Sequence, residues 1–299
     1  MRSLHACIAP CRRGAIARQA AGSDMAAEAV RKVMANHYAS IGFRIETPDD
    51  LGELAEQLAA DAEPIKVSNG HYLRWSSPSG AEIWLQADRS NVGVGAAPHF
   101  AGEAELRAQL TGRVTREDDT ELDGAFRAIV DPSDEPPIGG AYPLVFDSPD
   151  FLCHRDLSLP ATLSVQVAAF AHEITVYDTV AAYKAAHPGP GTFASRSLIP
   201  SGTFEPGGAA IEPPLAQAIM TGHVRRSGRR VNEHSGLPFH WAEIESYCAV
   251  FDVVIDPELV GAAPPVGGVV QGTFWLSGRP RPTRKRTLLD RLLGRRTVH

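Results

Sequence analysis

The sequence predicts an α+β fold, a tandem duplication of a strand-rich module with one main helix per copy. Each copy is expected to run β-α-β-β and to continue into a small barrel-like or meander sheet. Three observations lead there. First, the chain echoes itself. Pro78-Ser79-Gly80, Thr111-Gly112-Arg113-Val114, Phe126 to Pro132 and Pro136-Pro137-Ile138-Gly139-Gly140 return as Pro200-Ser201-Gly202, Thr221-Gly222-His223-Val224, Phe251 to Pro257 and Pro264-Pro265-Val266-Gly267-Gly268. The order is kept, at offsets of 122, 110, 125 and 128. Such echoes imply two copies of roughly 115–125 residues, each about the size of a domain. Second, one segment in each copy carries helical punctuation. Third, the remainder consists of short apolar runs between Pro- and Gly-rich clusters, the pattern of strands.

Copy one is expected to open with a strand, Tyr38 to Ile45. The helix that follows has Thr47 as N-cap, Pro48 at its first position and Asp50 completing a capping box. Its apolar stripe is Leu51, Leu54, Ala55, Leu58, Ala59 and Ala62. A hairpin then turns at Pro78-Ser79-Gly80, where Pro78 starts a type I turn and Gly80 supplies the positive φ that a three-residue loop needs. The implied register pairs Tyr72 with Gln86, Leu73 with Leu85, Arg74 with Trp84, Trp75 with Ile83 and Ser77 with Ala81. A slip by one residue would mix the two faces. Residues 91–96 read as a short strand, and Leu106–Arg116, Ala125–Asp131 and Ala141–Phe146 as three more.

Copy two repeats the plan loosely. Leu163–Phe170 reads as a strand running on towards Val176, and Asp178 as the cap of a helix to about Ala186, stopped by Pro188-Gly189-Pro190-Gly191. Short arms flank Pro200-Ser201-Gly202. Strands at Ala218–Arg226, Phe239–Tyr247, Val250–Asp256 and Val269–Leu276 complete it. A Thr-Gly-x-Val strand opening each back half suggests a small barrel of the OB type.

Length and charge bound the rest. A chain of 299 residues fits about two domains: a disordered extension over 1–33, copy one over 34–152, copy two over 153–280 and a basic tail over 281–299. The net charge of −6 divides into +7 for residues 279–299, +3 for 1–24 and −16 for the body between. So acidic a body disfavours nucleic acid as a partner, because it repels phosphate. Leu288, Leu289, Leu292 and Leu293 among the arginines of the tail would suit peripheral contact with an anionic membrane surface or docking on the acidic body. No run approaches the roughly 20 apolar residues of a membrane span. Four cysteines, two of them (Cys7 and Cys11) near the start, make no disulfide framework. Cys153 and Cys248 read as buried thiols, and a bacterial-type cytoplasmic protein is expected.

The motifs that carry chemistry are sparse. His172-Glu173 begins like a zincin helix but lacks the second histidine, and Ile174-Thr175-Val176 suits a strand, where the two side chains would point to opposite faces. Gly93-Val94-Gly95 leads to Pro98, not to the third glycine of a dinucleotide fingerprint. No Gly-x-Ser-x-Gly elbow or Walker A loop exists. His240-Trp241 and Glu243-Glu245 alternate along a half-exposed strand, and Asn232 to Gly236 has the composition of a hairpin turn.

The outer face of the first hairpin, Tyr72, Arg74, Glu82, Trp84 and Gln86, is the leading candidate for ligand or partner recognition, with Arg74 over Trp84 as a cation–π pair. Packing of this face against copy two is the competing expectation. His37 before the first strand and the Ser-Pro-Ser-Gly-Ala-Glu hairpin resemble the vicinal-oxygen-chelate (glyoxalase/dioxygenase-like) proteins, over residues 37–96 at most. That resemblance implies a metal held by His37 and one of Glu82 or Gln86. Copy two offers no matching histidine or glutamate, and the strands after residue 105 have no place in that plan. The sequence establishes no metal site; His37, His172 and Glu173 are the candidates, and a partly buried polar pair at a strand end is the plainer reading of His172-Glu173. No cofactor is named by the residues. The sequence favours a non-enzymatic binding protein for an unidentified protein or small molecule, with a metal-dependent enzyme at the junction of the copies as the alternative.

Overall fold

The computed structural model describes residues 37–133, 139–189, 194–201 and 213–281. The expected N-terminal extension, the basic tail beyond Arg281 and most of the Pro136–Gly140 turn lie outside these residues.

Strands dominate. They form 51 % of the structure against 12 % helix, so the balanced α+β class with one main helix per copy is overturned. The helix α1 (Pro48–Ala59) is as expected: Thr47 Oγ1 accepts from Asp50 N and Asp50 accepts from the Thr47 backbone, closing the capping box. Leu54 and Leu58 are its buried residues. The second helix, α2 (Val180–Ala186), is only seven residues long, and its cap is Thr179, which accepts from Ala182 N, rather than Asp178. The expected strand Tyr38–Ile45 is instead a helical turn and loop. Its apolar residues Ile41 and Phe43 are nonetheless core; tertiary burial recruited them without a ladder.

An antiparallel sheet of four strands follows, β1 (Glu63–Val67), β2 (Gly70–Ser76), β3 (Ala81–Asp88) and β4 (Gly93–Phe100), in that order. The β2–β3 register is Tyr72 with Gln86, Leu73 with Leu85, Arg74 with Trp84 and Trp75 with Ile83, as the turn chemistry requires. Gly80 has φ 94°, and its N–H closes the turn on Ser77 O.

The remaining strands are β5 (Glu105–Val114), β6 (Ala125–Val130), β7 (Tyr142–Asp147), β8 (Ala161–Tyr177), β9 (Ser197–Pro200), β10 (Gln217–Val231), β11 (Pro238–Ser246), β12 (Ala249–Ile255) and β13 (Val269–Arg281). They form a nine-stranded sheet in the order β11-β12-β8-β5-β6-β7-β13-β10-β9, and additional β10–β11 and β8–β13 pairings fold that sheet back on itself. The closures create two five-stranded rings, β8-β5-β6-β7-β13 and β13-β10-β11-β12-β8. Both are built on one long antiparallel β8–β13 ladder running from Val269↔Tyr177 to Arg281↔Ser164. One ring occupies each end of it, with β5 and then β12 beside β8, and β10 and then β7 beside β13. A ring is thus not the property of one expected copy: residues 34–152 supply three strands of the first ring and borrow β8 and β13.

The connectivity of the two rings matches. In each, a meander of three strands starts antiparallel to one ladder strand and ends parallel to the other. Gly112 on β5 and Gly222 on β10 occupy corresponding strands. The Phe126 and Phe251 echoes do not, because β6 is second in its meander and β12 is third in its own. The Pro264–Gly268 turn joins β12 to β13, whereas its partner in sequence falls between β6 and β7. Those echoes report similar demands, a buried strand leaving through Asp-Pro, rather than equivalent places.

Alternation along the ladder decides what covers what. Val165, Val167, Ala169 and Ala171 point into the main core with Phe126, Phe146, Phe251 and Phe274. Gln166, Ala168 and Phe170 point outward, yet are also buried, because the four-stranded sheet and α1 lie over them. Trp75, Ile83, Leu85, Leu54 and Leu58 pack there with Ala168, Phe170 and Trp241. Both faces of β3 are therefore covered.

Candidate functional site

Four of the five hairpin residues expected to form a recognition surface are inside the molecule, and the fifth, Arg74, is partly exposed. Tyr72, Glu82 and Trp84 are 0 % exposed and Gln86 3 %. Tyr72 Oη donates to Leu122 O at 2.7 Å and accepts from Leu152 N. Gln86 donates to Asp123 and accepts from Thr120. Trp84 lies between two guanidinium groups, 5.6 Å from Arg74 and 4.5 Å from Arg279, and its Nε1 donates to Glu82 Oε2 at 2.9 Å. Glu82 also takes Arg74, and Arg279 continues to Asp150 at 2.9 Å. Burial disfavours both carboxylates, but the charges of His99, Arg74 and Arg279 hold Glu82 below its ordinary range, and His154 with Arg279 holds Asp150 below its own. Arg279 thereby joins the N-terminal sheet to β13 through its ion pairs with Glu82 and Asp150. Desolvation of both partners offsets the attraction within such a buried pair, whereas removal of one partner would leave an uncompensated buried charge.

Beside it, His99 Nε2 donates to Gln166 Oε1 at 2.9 Å, since the Gln166 amide nitrogen is committed to Phe100 O. Its Nδ1 therefore accepts from Ser277 Oγ at 2.8 Å. Serine, histidine and amide stand in the order of a nucleophilic relay, but all three are closed from solvent, and burial takes the His99 pKa down to about 4. A nucleophile must reach substrate; this one is a structural bond.

The metal candidates divide. Glu82 and Gln86 are committed to the partners above, so the ligand set implied by the vicinal-oxygen-chelate resemblance is not assembled. His37 instead meets His172, Nε2 to Nε2 at 2.6 Å. Among the described residues no three His, Cys, Asp or Glu side chains converge on one point. The thiols of Cys153 and Cys248, expected to be buried, are exposed.

Where the molecule is open, a concave groove of about 510 Å³ lies at the β9–β10–β11 end of the second ring, lined by residues including Ser195, Arg196, Arg225, Glu245, Tyr247 and Cys248. Local structure builds it in three ways. A bulge in β10 between Val224 and Arg226 leaves Arg225 without a cross-strand partner and re-aims it. Ser246 Oγ donates near both Ser197 O and Thr221 O, tying β9 to its neighbours. The two-residue turn Tyr247-Cys248, with Cys248 at φ 53°, forms the rim. On this frame Glu245 receives Arg196 Nη1 on one oxygen at 2.6 Å and Arg225 Nε on the other at 2.9 Å. His223, directly across the ladder from Glu245, bonds Ser195 Oγ at 2.9 Å. Burial and the Arg196 charge lower the His223 pKa, while hydrogen bonds from Arg225 and Arg196 lower that of Glu245.

The groove thus offers two guanidinium groups against one carboxylate, next to a hydroxyl and an imidazole. Each guanidinium carries five N–H donors and commits one nitrogen to Glu245. Sequence reasoning singled out Glu245 but missed Ser195, Arg196, His223 and Arg225. The available signal was the run Arg225-Arg226-Ser227-Gly228-Arg229-Arg230 on a strand, too basic for a face that stays with an acidic body. Among the described residues no helix is long and apolar enough to cross a membrane. Comparison with protein-family models, curated proteins and solved structures finds no match to this chain.

Proposed function

We propose that this is a non-enzymatic, cytoplasmic binding protein, the product of an internal duplication, that takes an anionic group of a small molecule or protein in the Arg196–Glu245–Arg225 groove. One observation carries the reading: a positive, solvent-open concavity on a body whose other paired charges are mostly buried or matched one to one. The arginines are half exposed, 51 % and 48 % by side chain, and Arg matches carboxylate and phosphate geometry better than Lys. Glu245 holds both guanidinium groups in place, so an incoming anion meets an ordered pair. Among the described residues the groove belongs to the second half, because the edge strand β9 that frames it has no counterpart there beside β5. The alternative, a metal-dependent enzyme at the junction of the halves, has one observation behind it, the facing imidazoles of His37 and His172.

Inorganic phosphate, and separately acetate, titrated into the labelled protein should shift the amide resonances of Ser195, Arg196, Arg225 and Glu245 saturably. Phosphate should bind at a Kd near or below about 1 mM, roughly −4 kcal/mol, and Arg225→Gln should weaken it about tenfold. Shifts that stay linear with concentration, or that survive Arg225→Gln unchanged, would sink the proposal.

A further inference from the structure

The long β8–β13 ladder has one irregularity, and it falls on a histidine. Glu173 pairs with Thr273 and Ala171 with Phe274, so His172 is the extra residue of a β-bulge. The bulge reverses the alternation of β8. Ala169 and Ala171 before it and Ile174 and Val176 after it all pack on the main core. His172 and Glu173 are therefore left together off the core face, not on opposite faces as an unbroken strand would place them. The Glu173 charge acts on the His172 ring. Bulges of this kind re-aim a side chain.

What His172 is aimed at is His37. The ring planes of the two imidazoles are within 16° and their centres are 4.8 Å apart. With the Nε2 atoms at 2.6 Å, that separation makes the rings meet edge to edge, nitrogen to nitrogen, rather than face to face. His37 is also stacked on Trp275, 4.2 Å between centres at 16°, which holds its ring plane. Each ring presents its Nε2 to the other, and an unprotonated imidazole nitrogen carries one lone pair in the ring plane. A single proton shared between the two Nε2 atoms would make an N–H···N hydrogen bond, and a metal ion is the other species that two facing imidazole nitrogens are able to hold.

We propose that His37 and His172 are the two protein ligands of a transition-metal site for Zn²⁺, Ni²⁺ or Cu²⁺, with solvent filling the remaining positions and the exposed Glu173 carboxylate beside them. Neutral imidazole is the ligand these ions share. Zinc–nitrogen bonds of about 2.0–2.1 Å in tetrahedral geometry set the two nitrogens roughly 3.3 Å apart, so the rings must separate by about 0.7 Å and turn until both lone pairs converge on the ion. His37 stands on a short helical turn outside any ladder. Two histidines and water form an open site, incomplete enough to exchange ligands. The site is separate from the arginine groove and does not depend on it.

The full-length protein is titrated with ZnCl₂ by calorimetry and with NiCl₂ while tryptophan fluorescence is read. The expected result is one zinc equivalent and saturable quenching by Ni²⁺ through Trp275. Zinc affinity should fall at least tenfold in His37→Ala and in His172→Gln, while His71→Gln leaves it unchanged. In Trp275→Phe the quenching should shrink and zinc binding persist. Melting curves show whether His172→Gln is folded, and His37→Ala, outside every strand, is the second test if it is not. An unaltered zinc isotherm in both folded variants, or none in the wild type, would overturn the site and leave the pair as an N–H···N hydrogen bond.

Discussion

At the scale of single residues, burial has reassigned most of the polar groups that the sequence offered as a recognition surface. Glu82, Trp84 and Gln86 alternate with Ile83 and Leu85 as a solvated face alternates with a core face, and the period alone gives no hint that both faces are covered. The compensating charge, Arg279, lies at the far end of the chain, where no local rule links it to Glu82. His99 was invisible for the same reason, since its partners Gln166 and Ser277 sit on the shared ladder. This burial has a measurable consequence in acid. Burial depresses the His99 pKa to about 4, the Glu82 charge opposing and the Arg279 charge assisting, and that of His37 to about 3, with the His172 charge assisting. An unfolded histidine titrates near 6.5. A group whose folded pKa lies below its unfolded value contributes its full stability above pH 6.5 and loses it as pH falls towards the folded value. Each such histidine should then cost roughly 1.4 kcal/mol per pH unit. Below about pH 4 the carboxylates Glu82 and Asp150, also depressed on folding, add to the loss. Urea titrations between pH 7 and 4.5 should show stability falling, and His99→Gln should make the slope shallower. A flat profile in the wild type would mean that these histidines are protonated without cost.

At the scale of elements, punctuation was legible and context was not. The capping box at Thr47 and Asp50 and the register set by Pro78-Ser79-Gly80 are decided within a few residues, and the structure reproduces both. The strand expected at Tyr38–Ile45 failed because apolar residues in sequence do not say whether a ladder or a loop buries them. Strand β1 went unseen since Glu63-Pro64-Ile65-Lys66-Val67 is short, edge-placed and mostly exposed. The arginine groove was hidden for a related reason. A bulge and a turn create it, and neither has a reliable sequence signal. The hairpin also offers a test. At Gly80 an added Cβ would stand 2.7 Å from the Phe100 ring at a φ of 94°, so a β-branched side chain meets both backbone strain and a clash. Gly80→Val should destabilise by roughly 1–3 kcal/mol, against a few tenths for an exposed strand position. Chemical denaturation monitors it, and an unchanged midpoint would contradict the turn geometry.

At the scale of the whole molecule, the sequence echoes imply two copies, each with its own sheet, whereas the described strands form two rings on one shared ladder. Two copies folding side by side would each keep a helix, a sheet and a core. The structure instead threads two rings onto one ladder, so β8 and β13 belong to both, and the main core runs through Val165, Val167, Ala169 and Ala171 from one ring into the other. Sequence cannot show this, because sharing a strand leaves its alternation unchanged. Yet sharing has an energetic signature. A fragment over residues 34–152 has β5, β6 and β7 but neither ladder strand, so it exposes Leu106, Ala108, Leu110, Phe126 and Phe146 and leaves two strand edges unpaired. Such edges pair with other chains rather than remain free. That fragment should aggregate or show no cooperative melt by circular dichroism. A chain ended after Arg281 keeps every described strand, including Arg279 on Asp150 and Glu82, and should melt within about 3 °C of the full chain, under 1 kcal/mol for a protein of this size. If the 34–152 fragment were monomeric and melted cooperatively, the first half would hold a core of its own, and the shared ladder would be a joint between two domains rather than the spine of one.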